Sequence, residues 1–197
     1  MNVLITNLES PFAKSLASIF EREGYQVFSL DAITTDKLDY LVDTTDFTHP
    51  EDNFTLTDGI NTDIIKEVYF KNVIEPMATL EKVLPLLDAG EENCKRLFYV
   101  TSVQASINET RSTGGYAYNM SKAALHQFLQ MAHNRLAPSG YTLRVYDPMH
   151  GIISPQAAAE GAFNYITRRR GTENYDTRRD DENNLVMRDA EGRLHGW

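Results

Sequence analysis

Residues 96–148 read RLFYVTSVQASINETRSTGGYAYNMSKAALHQFLQMAHNRLAPSGYTLRVYDP, and this stretch decides the fold class. Residues 96–101 are a short apolar run of the kind that a strand covered on both faces requires. From 116 to 136 the pattern is helical, and 141–146 make another apolar strand. Parallel strands need a crossover of a dozen residues or more, which a helix between two such strands supplies. The stretch therefore predicts a β-α-β unit.

The alternation continues outward. Val3, Leu4, Ile5 and Thr6 begin a strand; Ser10 is placed to cap a helix with Pro11 at its first position, and Phe12, Leu16, Ile19 and Phe20 recur at helical spacing until Gly24. Residues 26–30 predict a second strand ending at Asp31, and 38–43 a third after a connection of only seven residues, too short for an ordinary crossover helix. Residues 44–59 are polar and follow a strand's carboxyl end, where ligand loops commonly lie. A long helix is predicted over 61–87, bent at Pro76, and a further one over 156–167. A charged loop over 170–183 and a short strand over 185–188, with a turn at Gly192, complete the reading. The expected architecture is one α/β domain over 1–197: a Rossmann-like, doubly wound, mostly parallel sheet, abbreviated after its second strand.

A net charge of −9 over 197 residues argues against binding nucleic acid, and the cluster Arg168, Arg169 and Arg170 is answered by Glu173, Asp176, Asp180, Asp181 and Glu182. The single cysteine, Cys94, excludes an internal disulfide and fits a reducing, cytoplasmic setting. No apolar run approaches the length needed to cross a bilayer, and the five histidines form no metal motif, so neither membrane nor metal is expected.

Tyr118 and Lys122 stand four apart on the predicted helix, so that both side chains share one face. A nearby ammonium favours phenolate, which a tyrosine needs if it is to exchange protons near neutral pH. The segment TSVQASI after strand LFYV, with YAYNMSKAAL placing Tyr118 sixteen residues beyond Ser102, resembles a short-chain dehydrogenase/reductase, most closely the C-factor-like carbonyl reductases. The resemblance covers about 61–148, and the ending DAEGRLHGW is similar to that branch as well. It implies that Ser102 binds the substrate oxygen, Tyr118 exchanges the proton, Lys122 lowers the tyrosine pKa, and Asn72 helps to hold a relay water. It further implies NAD or NADP as cofactor, a small carbonyl or alcohol as substrate, and a homodimer or homotetramer. Thr6, Asn7, Leu8, Asp31, Asp43, Thr44, Tyr118, Lys122 and Pro148 fall at the positions of the family's cofactor-binding residues.

Three departures accompany the likeness. The family's first β-α turn carries glycines that let pyrophosphate approach the helix amides, whereas this chain has Asn7, Pro11 and Ala13 there, with Glu9 beside them. The strand ending in Asp43, Thr44, Thr45 and Asp46 replaces the family's Asn-Asn-Ala-Gly. Pro148-Met149 replaces Pro-Gly. Two readings follow: an oxidoreductase with a retained Ser-Tyr-Lys-Asn set, or a binding or regulatory protein on the same scaffold that has lost ordinary dinucleotide binding.

Overall fold

Val3, Leu4 and Ile5 are fully buried in β1 (Asn2–Ile5), which lies next to one edge of the sheet. The computed structural model describes residues 1–55, 57, 59–91, 95–168 and 184–197. Cys94, Arg169, Arg170 and the charged loop expected over 170–183 lie outside the described residues. β1 pairs in parallel with β2 (Gln26–Phe28) on one side and β3 (Tyr40–Asp43) on the other. β4 (Arg96–Val100), β5 (Thr142–Asp147) and β6 (Met187–Asp189) extend the parallel sheet, and β7 (Leu194–His195) closes it antiparallel. The order is β2-β1-β3-β4-β5-β6-β7.

Because strand side chains alternate between faces, the sheet carries two apolar layers. Val3, Ile5, Val42 and Phe98 meet α1 (Pro11–Arg22) and α5 (Pro155–Thr167). Leu4, Leu41, Leu97 and Leu143 meet α3 (Glu75–Asp88) and α4 (Tyr116–Leu136). The doubly wound arrangement is thus observed, with β2 and β3 each shorter than their predicted runs and β6 displaced slightly towards the C-terminus. β7 was not expected: two residues are too few to show a period.

The abbreviation after β2 is real. Residues 29–39 contain no helix, and the chain passes β1 to reach β3 with Leu38 fully buried as its anchor. Leu38 N–H donates to Leu86 O at 2.8 Å, and the Asp39 carboxylate accepts from Asn2 N at 2.7 Å and Glu91 N at 3.1 Å. β2 is left as a three-residue edge strand, short enough to discourage pairing with another chain.

The predicted helix over 61–87 is divided. Asn61 caps α2 (Thr62–Tyr69) through Asp63 N and Ile64 N, a π segment follows at Phe70–Ile74, and α3 begins at Glu75. Pro76 has no N–H, and the regular ladder gives way just before it: Glu75 N–H reaches back to Phe70 O. Among the described residues no helix is long and apolar enough to cross a membrane, and no three His, Cys, Asp or Glu side chains are grouped to hold a metal ion.

Candidate active site

The carboxyl ends of β3, β4 and β5 form the floor of a cleft of about 460 Å³. α4 delivers Tyr118 and Lys122 to it. The helix starts at Gly115, which has φ +66° and no capping side chain, so the cap comes from elsewhere: Asp52 accepts from Ala117 N at 3.1 Å and Tyr118 N at 2.8 Å. Ser102 follows β4 and lines the same cleft, its Oγ accepting from Gln104 N at 3.2 Å.

Tyr118 and Lys122 meet at a residue the sequence reading did not select. The Tyr118 hydroxyl donates to Asp46 Oδ1 at 2.7 Å, and Lys122 Nζ stands 3.1 Å from the same oxygen. Lys122 is fully buried and also donates to Thr45 O at 2.7 Å and Val100 O at 3.1 Å. His150 Nε2 lies 3.3 Å from Asp46 Oδ2. Burial pushes the Asp46 carboxyl up, but the Lys122 charge and hydrogen bonds from His150, Tyr118 and Lys122 outweigh it and hold the group far below the usual carboxylate range.

The tyrosine departs from expectation. Burial raises its pKa well above 10, and the Asp46 charge and hydrogen bond raise it further, against a smaller opposing contribution from Ser102. The proximity of Lys122 does not make a phenolate while Asp46 sits between them. Burial and Asp46 thus favour the neutral phenol, and its hydroxyl is engaged as a hydrogen-bond donor to Asp46.

Asn72 is placed on the π segment, fully buried, with its amide turned to the loop after β3. Oδ1 accepts from Phe47 N at 2.9 Å; Nδ2 donates to Phe47 O at 2.8 Å and Ser121 Oγ at 3.0 Å. Both amide hydrogens are thereby engaged with protein atoms, and Asn72 holds the backbone beside Asp46. Thr6, Asn7, Leu8 and Asp31 line a second cavity of about 1080 Å³ along β1 and β2. Asp43 and Thr44 are buried beneath it and line neither cavity: Asp43 accepts from Thr45 N at 2.9 Å, and Thr44 N donates to Thr6 Oγ1 at 2.9 Å. Pro148 is buried between the wall residues Asp147 and Met149. Asp46 and His150 are thus additions to the predicted site. Both signals lay in the sequence: Asp46 is an acidic residue just beyond the carboxyl end of β3, and His150 directly follows the Pro148-Met149 pair just beyond β5, without a partner that the sequence alone could name.

A nicotinamide dinucleotide is the group this fold implies, and the residues fit its two ends differently. At the reacting end, phenol and ammonium converge on one oxygen, so Asp46 Oδ1 stands where a ligand hydroxyl or carbonyl oxygen would be held. At the phosphate end α1 offers little. Pro11 lacks an N–H, Ala13 N is taken by Ser10 Oγ at 3.1 Å and Lys14 N by Ser10 O at 3.0 Å, which leaves the Phe12 amide. Glu9, 91% exposed, adds negative charge at that turn, moderated by Lys14 at 3.2 Å.

No family model matches the chain. Over 93 residues it is 32% identical to an uncharacterized oxidoreductase of Saccharomyces cerevisiae, covering 47% of this chain and 35% of that one. Over 77 residues it is 32% identical to the C-signal protein of Myxococcus xanthus, covering 39% and 45%. The chain therefore spans less than half the length of these two curated relatives. A protein from Burkholderia multivorans assigned as a short-chain dehydrogenase/reductase, solved with bound NADP, matches the whole fold with a TM-score of 0.80, at 17% identity and covering 100% of this chain and 99% of that one. The chain has the short-chain dehydrogenase/reductase fold and is similar in part of its sequence to oxidoreductases and to C-signal, as the segment around Ser102 and Tyr118 implied.

Proposed function

We propose that the chain is an NAD(P)-dependent oxidoreductase acting on a small carbonyl or alcohol. The observation that carries this reading is the convergence of the Tyr118 hydroxyl and the Lys122 ammonium on a single oxygen in a cleft that Ser102 also lines. Ser102 orients the substrate oxygen, Tyr118 gives it the proton, and Lys122 stabilises the phenolate left behind. Asn72 acts by fixing the loop that borders the site. A bound nicotinamide supplies the hydride.

The same reading includes self-association and a cytoplasmic setting. Tyr69, Phe70, Ile74 and Met77 are 40%, 51%, 40% and 39% exposed along the 62–88 helix, and Met120 and Met131 are 52% and 62% exposed on α4, surface that a second copy would cover.

A second reading, a binding protein without ordinary dinucleotide affinity, is favoured by one observation: at the start of α1 the Ala13 and Lys14 amides are taken up by Ser10 and Pro11 has no N–H, so that the Phe12 amide alone is left. Titration with NADH and NADPH, followed by nicotinamide fluorescence, separates the two. Saturable binding is expected, with turnover of small carbonyl compounds lost in Tyr118→Phe by about 10² to 10⁴-fold while cofactor affinity is kept. Absence of binding up to millimolar cofactor leaves the second reading.

A further inference from the structure

The cleft that holds Ser102 and the cavity along β1 and β2 share the lining residues Asp46 and Thr48, and the Asp46 side chain is 15% exposed. The backbone on either side is fastened. Thr45 N donates to Asp43 at 2.9 Å and Thr45 O accepts from Lys122 at 2.7 Å, while Phe47 is held through both its N–H and its carbonyl by Asn72. Opening the wall at this point therefore calls for a turn of the Asp46 side chain away from Tyr118 and Lys122 rather than for a shift of the loop.

We propose that the Asp46 side chain is a gate between the two cavities, and that a ligand reaching from the turn after β1 to Tyr118 replaces its carboxylate with an oxygen of its own. The exchange is balanced at the protein. Tyr118 and Lys122 lose one acceptor and gain another, Lys122 keeps the carbonyls of Thr45 and Val100 throughout, and His150, half exposed on the cleft side, remains a partner for the displaced carboxylate. Closed, the gate opposes an anionic ligand twice. It occupies the acceptor position between phenol and ammonium, and its charge adds to those of Glu9 and Asp31 along the second cavity. Only Lys71 and Lys82 answer them among the lining residues, and Lys71 is already 2.6 Å from Glu75.

This inference rests on the oxidoreductase reading and names the residue that limits its cofactor affinity. Asp46→Ala opens the wall; Asp46→Asn removes the charge at nearly constant volume. NADH and NADPH titrations of the folded wild type and both variants are expected to show dissociation constants at least about tenfold lower in Asp46→Ala, with Asp46→Asn between it and the wild type. A second readout needs no cofactor: in tyrosinate absorbance, read as the difference from the matching Tyr118→Phe protein, Tyr118 should titrate at lower pH once Asp46 is removed. Wild-type binding that Asp46→Ala does not tighten overturns the gate and leaves the oxidoreductase reading standing. No binding by any of the three proteins overturns both.

Discussion

Asn7 and Met149 hold left-handed backbone angles, φ +48° and +53°, at two of the places where the resemblance expects glycine. The chain has lost the residue and kept the turn. An asparagine tolerates this conformation because its short side chain bonds locally, whereas an unbranched Met accepts some strain to keep its place. Met149 N–H donates to Asp147 Oδ1 at 2.7 Å, which fixes the turn and brings His150 towards Asp46. Asn72 is tied to the protein through its side-chain amide. Its side chain makes three hydrogen bonds inside the protein, so Asn72→Ala should destabilise the fold by about 1–3 kcal/mol in urea titration, by leaving the half-buried Phe47 groups and Ser121 without these partners. A loss below about 0.5 kcal/mol would show that the loop is held by something else.

At the scale of elements, the C-terminal segment forms a strap over one side of the cleft. His195 lies between two carboxylates, with Nδ1 2.8 Å from Glu109 and Nε2 2.9 Å from Asp189, and Trp197 packs edge-on against His126 at 4.9 Å. Burial pulls the His195 pKa down, but the bonds and charges of Glu109 and Asp189 prevail and raise it above 6.5, while both carboxyls are lowered. A raised histidine contributes stability that is complete below its unfolded pKa and is lost as pH rises through the folded one. The carboxylates contribute only once ionised, so the strap is firmest between the carboxylate range and 6.5. Wild type should exceed His195→Gln in melting temperature at pH 6, with the gap closing by pH 9; a gap independent of pH would remove the ionic account. His126 behaves oppositely: burial, then the Lys122 charge, push it down to about 4, and it stays neutral against Trp197. The helices show the same division between local and long-range causes. Ser10 and Asn61 cap their own helices from adjacent positions, as their residue types predict. α4 is capped by Asp52 from a loop far away in sequence.

For the whole molecule, the exposed apolar residues of the 62–88 helix and α4 lead to an expected dimer or larger assembly. Phe70→Glu together with Met120→Glu should shift it towards monomer in light scattering; a wild type that is monomeric at micromolar concentration would end the expectation. The amino-acid order alone determined the β-α alternation, the α1 cap, the missing crossover helix between residues 31 and 38, and the placing of Ser102, Tyr118 and Lys122. These depend on apolar period, capping residue types and loop length, all of which act over short distances along the chain. Tertiary structure alone decided that Asp46 enters between Tyr118 and Lys122, that Asn72 fastens a loop, and that the tail closes over the cleft. Those outcomes join residues 25 to 89 positions apart, and the charge, burial and hydrogen bonds that set a pKa or close a cavity exist only once the sheet has brought such positions together.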